Sequence, residues 1–357
     1  MALTARLKRV AGAVALTFLA GMAAPAAGEP LPALGADVNR TSVSGLSSGA
    51  YMAGQFQIAY SRLVIGAGIV AGGPYGCASA PGTSFVPFWP FALSLNLDRA
   101  LNRCMQDGGW FSDVPSVSQL GGGAKSLADK GVIDPLAGLK ADKVYIFSGA
   151  NDGTVERAVV ERAAELYEEL GVPKASIAFI KHDKAAHAFV TEEGGLTCGT
   201  AGEPFINDCD YDQAKAVLEA IYGRLSTAGS ETGGRYITFE QAPFLSGLDD
   251  PGMADEGVVF IPENCARQAG CAPHVVFHGC KQGREKIGDT FIKGSGFARW
   301  AATNRIIVLF PQIEASGTGN PNGCWDWWGY TGRHFLEREA PQMMAVRRML
   351  GKLADPR

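Results

Sequence analysis

Residues 45–49 read GLSSG, a Gly-x-Ser-x-Gly pattern centred on Ser47. Five letters recur by chance, so the flanks decide. A strand-like run, NRTSVS (39–44), leads in, and a helical pattern follows with Met52, Phe56 and Tyr60 on one face. A nucleophile elbow needs this strand–turn–helix succession, because small flanking residues let the backbone turn sharply and expose a serine hydroxyl at a helix N-terminus. A Gly-Ser loop before an ordinary helix is the plainer alternative.

A serine hydroxyl is a poor nucleophile until a base takes its proton, so the elbow asks for an acid and a histidine later in the chain. SGANDGTV (148–155) supplies Asp152 just past a strand-like run, and KHDKAAHAF (181–189) supplies His187 just past the next. An Asp in an Asn-Asp-Gly turn has a purely local use, and a lone loop histidine is unremarkable. Their placement after consecutive strands favours the catalytic reading. His182 is the rival base, five residues earlier and next to Asp183. Asn151 is the weaker acid, since a neutral amide does not stabilise an imidazolium.

Acyl transfer also needs backbone N–H groups aimed at the developing oxyanion. One follows the nucleophile, at Ser48. The other ordinarily comes from a His-Gly loop that precedes the nucleophile in the chain. Here that loop, HVVFHGCKQG (274–283), comes after the histidine. The order is restored if 235–353 is read as the first half of the fold and 36–226 as the second, with TAGSETGGR (227–235) as a flexible connector. Circular permutation of this kind is tolerated where chain ends lie close together at the surface.

The elements that must hold these residues alternate. Strand-like runs at 39–44, 63–73, 143–149, 176–182, 235–240, 257–262, 274–278 and 305–311 are interleaved with helical patterns at 49–62, 156–170, 211–226, 291–304 and 339–353. Apolar strands alternating with helices predict an α/β fold, a mostly parallel sheet with helices on both faces. Three stretches are expected to be irregular: 77–135, which includes FVPFWPF (85–91); 191–210; and 314–332, which includes CWDWWGY. FVPFWPF cannot be a central strand, with its two prolines. It is read as a lid, an adsorbing surface or a buried plug.

The chain has 357 residues, 46% of them hydrophobic, and a net charge of −4. Neither a nucleic-acid footprint nor a disordered composition is present. Residues 1–28 read as an export signal, with Arg6, Lys8 and Arg9 before a short apolar run and a small-residue cut region between Ala24 and Gly28. One catalytic domain over 29–357 is expected, without stable membrane insertion after cleavage and with its oligomeric state open. Eight cysteines behind an export signal suggest up to four disulfides, for which 105 pairings exist. None has C-x-x-C spacing, and the histidines lack metal-binding spacing, so no metal is expected. GAGIVA (66–71) matches a dinucleotide fingerprint only formally: no helix follows it and no acidic residue lies about 20 positions on, so no cofactor is expected.

The stretches SVSGLSSGAYMAGQFQIAYS, GIVAGGPYGCA, NDGTV, HAF, VVFHGCKQ and NPNGCWDWWGY occur in order across most of the chain. In these the sequence resembles the single-domain, circularly permuted poly(3-hydroxybutyrate) depolymerases, esterases with an α/β-hydrolase fold. The resemblance implies an exported serine esterase acting on a polyester or oligoester, with Ser47, Asp152 and His187 as triad and the amides of Ser48 and Cys280 as oxyanion hole. No Thr-rich linker or separate substrate-binding domain is present, which weakens the expectation of attack on crystalline polymer. An acetyl or feruloyl esterase acting on plant polysaccharide is the enzymatic alternative, and a polymer-binding protein with a vestigial triad is the non-enzymatic one. Trp325, Trp327, Trp328 and Tyr330 are expected to line an apolar cleft rather than pack in the core. The disulfides expected are Cys77–Cys104, Cys198–Cys209, Cys265–Cys271 and Cys280–Cys324.

Overall fold

The computed structural model describes residues 28–79, 88–106, 114–317 and 319–357. The export-signal reading therefore falls outside the described residues except for Gly28, as do Phe85–Pro87 of FVPFWPF. Eleven strands are described: β1 (Thr41–Leu46), β2 (Val64–Val70), β3 (Lys143–Gly149), β4 (Ile177–His182), β5 (Phe189–Thr191), β6 (Leu196–Thr197), β7 (Ile206–Asp208), β8 (Gly234–Glu240), β9 (Glu256–Pro262), β10 (Ala272–Phe277) and β11 (Ile306–Phe310).

Eight of these form one sheet in the order β4-β3-β2-β1-β10-β11-β9-β8. β9 runs antiparallel to both its neighbours, and every other pairing is parallel. The central strands β1, β10 and β11 are buried throughout, as in a sheet covered on both sides; β11 is wholly apolar, and the polar Ser42 and Ser44 of β1 are satisfied by His274 of β10, at 2.6 and 2.8 Å. Successive residues alternate between two cores. Ile307 and Leu309 pack toward one, and Ile306, Val308 and Phe310 toward the other.

The first core is covered by α1 (Ser48–Ala59), α3 (Val117–Asp129), α4 (Arg157–Glu169) and the C-terminal helix Pro341–Ala354, with α2 (Trp89–Arg103) packed at its margin. The second is covered by α5 (Gln213–Tyr222) and the helix Phe297–Asn304. The glycines of GAGIVA are there for packing: a Cβ on Gly68 would lie 2.9 Å from Val217, and one on Gly66 3.0 Å from Ile221, so their absence lets α5 approach β2.

Several expectations are corrected. The stretch 77–135 is not wholly irregular, since it contains α2 and α3. The helix expected at 291–304 is two helices, Thr290–Gly294 and Phe297–Asn304, broken at Gly296 with φ 79°. The stretch 191–210 belongs to a small sheet, β5-β7-β6. The connector is pinned to its neighbour: Gly229 N–H donates to Arg299 O at 2.8 Å, and the Thr303 hydroxyl donates to Thr227 O at 2.8 Å. All four expected disulfides are present: Cys77–Cys104, Cys198–Cys209, Cys265–Cys271 and Cys280–Cys324.

Numbered from β8 through β11 and on through β1 to β4, the large sheet reads 1-2-4-3-5-6-7-8. The two ends of the described chain also meet. Leu34 and Ala36 donate to Leu353 O at 3.1 and 2.9 Å, and Gly35 donates to Asp355 O at 2.9 Å.

Candidate active site

Ser47 is the single residue between the end of β1 and the start of α1. Its backbone sits at φ 57° and ψ −122°, a conformation that costs a non-glycine residue of order 1–3 kcal/mol and persists only where the surroundings impose it. Its N–H donates to Val70 O at 2.9 Å. A Cβ at Gly45 would lie 2.3 Å from the Gly49 carbonyl, and one at Gly49 would lie 2.2 Å from Phe277 O, so both flanking residues must lack a side chain. α1 is buried on every side, as a helix at the centre of the fold must be.

Asp152 follows β3 and His187 follows β4, and the fold brings both to the end of β1. His187 Nδ1 lies 2.9 Å from Asp152 Oδ2. Asp152 Oδ1 accepts from the amides of Thr154 and Val155, each at 2.9 Å. A carboxylate only accepts, so in this contact Nδ1 is the donor, and a neutral ring in that tautomer has its lone pair on Nε2. His187 and Ser47 line one cleft of about 550 Å³, whose wall is largely apolar: Leu97 and Leu101 from α2, Met105, Phe205, Trp327 and Trp328.

Gly279 and Cys280 line the same cleft. A Cβ on Gly279 would stand 3.5 Å from Ser47 Cβ, so the His-Gly loop passes directly beside the serine. Ser48 opens α1, where the first amides have no acceptor within the helix. The Cys280–Cys324 disulfide ties this loop to the start of the tryptophan segment.

The four aromatic residues divide. Trp327 and Trp328 line the cleft, and Trp327 lies flat on Tyr51 of α1, with ring centroids 4.0 Å apart. Trp325 does not line it. It is wholly buried, edge-on to Phe277 at 4.8 Å. Tyr330 is turned inward, its hydroxyl donating to Cys324 O at 2.7 Å. Asp326, which sequence reasoning passed over, shapes this segment. Its carboxylate accepts from the amides of Trp328, Gly329, Tyr330 and Thr331 and from the Thr331 hydroxyl, at 2.6–3.2 Å. Burial raises its pKa against the pull of those donors. Phe205, Leu97 and Leu101 were also missed, although the i,i+4 spacing of the two leucines was visible.

His182 is not placed to act as base. Its Nδ1 accepts from the amides of Lys184 and Ala185 at 3.2 and 3.1 Å, shaping the turn that leads to His187. Its ring and the sulfurs of Cys198 and Cys209 lie within 4.8 Å of one another, a spacing that ligands of one ion could have, but those two sulfurs are bonded to each other.

His278 has a structural use. It is fully buried, with Nδ1 2.8 Å from Gly279 O and Nε2 accepting from Ile313 N–H at 3.2 Å, and burial lowers its pKa to about 4. Protons then bind the unfolded chain first as pH falls, so stability attributable to the neutral ring is lost between about pH 6.5 and 4. The slope is about 1.4 kcal/mol per pH unit. In urea unfolding, His278→Gln is expected to flatten the dependence of stability on pH by about that amount between pH 6 and 4.5. An unchanged slope would show that the ring is not held neutral.

No family model matches the chain. It is 38% identical over 354 residues to a poly(3-hydroxybutyrate) depolymerase of Delftia acidovorans, an alignment covering 97% of this chain and 66% of that protein. To a polyhydroxybutyrate depolymerase of Talaromyces funiculosus it is 34% identical over 342 residues, covering 91% of this chain and 92% of the relative. Two solved structures superpose with a TM-score of 0.78 at 32% identity, covering 91% of this chain and 98% of theirs: a PHB depolymerase from Penicillium funiculosum and a serine-to-alanine PHB depolymerase complexed with an R3HB trimer. At these identities and coverages the chain belongs to the poly(3-hydroxybutyrate) depolymerase family.

Proposed function

We propose that the chain is a serine esterase that hydrolyses poly(3-hydroxybutyrate), related polyhydroxyalkanoates or their oligomers, with Ser47 as nucleophile, His187 as base and Asp152 as orienting carboxylate. The observation that carries this reading is the 2.9 Å contact between His187 and Asp152 on the wall of an apolar cleft that also exposes Ser47. His187 Nε2 takes the Ser47 proton as Oγ attacks the ester carbonyl. The oxyanion is received by the amides of Ser48 and Cys280, each such donor being worth about 2.7–4 kcal/mol of barrier. Collapse expels the alcohol end of the leaving chain, which carries away the proton from His187. A water deprotonated by His187 then attacks the acyl-enzyme, releasing the acid and restoring the serine.

The substrate class is supported by family membership, by the R3HB trimer bound in one similar structure, and by a wall suited to a methyl-bearing polyester backbone. Phe88, beside the N-terminus of α2, and Phe91, Leu95, Leu97 and Leu101 on that helix are exposed apolar residues, and the last two reach the cleft. That is a surface fitted to lie against a solid polymer. Export to an oxidising compartment is supported by the four disulfides, and among the described residues no helix is long and apolar enough to cross a membrane. The sheet order and the meeting of the chain ends support a circular permutation with its joint near 227–235.

Ser47→Ala is expected to abolish release of 3-hydroxybutyrate from amorphous granules with the fold retained, and Asp152→Asn to lower turnover by orders of magnitude without a matching fall in Tm. Acetate or ferulate released from xylan faster than 3-hydroxybutyrate from granules would move the assignment to a polysaccharide esterase.

Trp328→Ala should lower kcat/KM on oligoesters by roughly 10- to 100-fold while sparing p-nitrophenyl acetate. Trp325→Ala should act through stability instead, costing about 3–5 kcal/mol. The reverse pattern, from the same assays and thermal unfolding, would exchange their roles.

The permutation is tested by a variant opened between Thr227 and Ser230 with the former ends joined by a short linker. It is expected to fold and retain esterase activity. A soluble product without a cooperative unfolding transition would count against the reading.

A further inference from the structure

Gln282 stands between the two loops that frame the serine, and every hydrogen-bonding group of its side-chain amide is engaged in joining them. Its Oε1 accepts from Gly279 N–H at 2.7 Å, within the His-Gly loop. Its two N–H groups donate to Pro204 O at 2.9 Å and Phe205 O at 3.1 Å, on the loop closed by the Cys198–Cys209 disulfide. The residue is 1% exposed, so water cannot substitute for any of the three contacts.

Both ends of this bridge reach reacting groups. On one side Gly279 leads directly into Cys280, and Gln282 N–H returns to Gly279 O at 3.2 Å to close the turn. On the other side the Phe205 ring meets His187 edge-on, with centroids 6.3 Å apart. The same disulfide-closed loop holds the histidine segment from below, since Ala186 N–H donates to Cys198 O at 2.9 Å.

We propose that Gln282 is a positioning residue that sets the oxyanion loop against the His187 side of the cleft, so that N–H donor and base address the same ester carbonyl. This rests on the assignment of Ser47, His187 and the Cys280 amide made above. Catalysis is sensitive at this point because the donor must meet the oxygen of the transition state rather than that of the ground state, and a misplacement of about 1 Å can cost 10²-fold. Substrate held by the apolar wall should bind without it.

The test uses Gln282→Glu, which keeps the shape and the acceptor for Gly279 N–H but, when ionised, has nothing to donate to the two carbonyls. On p-nitrophenyl acetate and a 3-hydroxybutyrate trimer, kcat should fall by about 10- to 100-fold with KM within about twofold. Affinity for an alkyl boronic acid, which mimics the tetrahedral oxyanion, should fall in parallel. A carboxyl facing two carbonyl oxygens in a dry site favours its protonated form, which donates again. The variant-to-wild-type ratio of kcat should therefore rise as pH is lowered from 8 to 6.

If Gln282→Glu does not fold, Gln282→Asn, which cannot span both loops, is read by the same kcat and boronate criteria. Unaltered kcat and boronate affinity in a folded variant, or losses that merely follow the unfolded fraction, would overturn the proposal. Ser47→Ala, assayed alongside, separates the two readings. If it stays active, the catalytic assignment itself is wrong. If it is inactive while the Gln282 variants turn over normally, only the positioning role is lost.

Discussion

The site depends on how closely α1 leaves β1. At Gly45 and Gly49 the backbones of strand, helix and β10 approach until a single added carbon would lie 2.2–2.3 Å from its neighbours. No side chain fits, so these two positions have one residue type open to them. The approach turns the chain at Ser47 into a positive φ and leaves the serine lining the cleft at the start of α1. It also brings the end of β10, and with it the His-Gly loop, against the serine. Ser47, the start of α1 and the His-Gly loop are thus brought together by one steric condition rather than by three separate ones.

The loops that complete the cleft are irregular and are held from inside by covalent bonds and buried carboxylate and amide groups. Cys280–Cys324 fastens the His-Gly loop to the tryptophan segment, and Asp326 gathers the four backbone N–H groups from Trp328 to Thr331. A buried carboxylate surrounded by five donors is costly to remove, because each N–H it satisfies would be left unpaired in a dry interior. The wall that Trp327 and Trp328 present is held in place by these contacts. Tyr51 adds a flat contact from α1, the helix that begins just after Ser47.

Much of this was legible in the sequence wherever a residue type is forced by geometry or period. Strands β2 and β11 read correctly because they are apolar throughout, and the strand–turn–helix around Ser47 read correctly because only glycine satisfies its two crossing points. The helices α2 and α3 were hidden for different reasons. α2 turns several of its leucines outward, so its apolar pattern does not mark a core face, and α3 carries Gly121, Gly122 and Gly123, which look like loop. Gly296 split a helix whose apolar period ran on unbroken. Trp325 was misplaced because no period governs an irregular segment: its orientation follows from the turn around Asp326, and nothing local in CWDWWGY says which ring faces inward. Gln282 was overlooked because its partners, Pro204 and Phe205, are far away in the chain and act through backbone atoms that carry no sequence signal.

The burial of the site bears on its chemistry. Ser47, Asp152 and His187 are each less than a tenth exposed. In such a setting an imidazolium formed during attack would be expensive unless a counter-charge were already in place, since low dielectric magnifies both the penalty and the remedy. Asp152 supplies that charge without being left unsatisfied itself, because the amides of Thr154 and Val155 occupy its second oxygen. Those amides belong to the turn that follows β3, so the same Asn-Asp-Gly geometry that ends the strand also stabilises the carboxylate. A free aspartate turned into an apolar cleft would tend to take up a proton and could then no longer orient His187. The local turn chemistry, a purely structural use of Asp152 by itself, is therefore also what would hold its carboxylate ready for the role proposed for it.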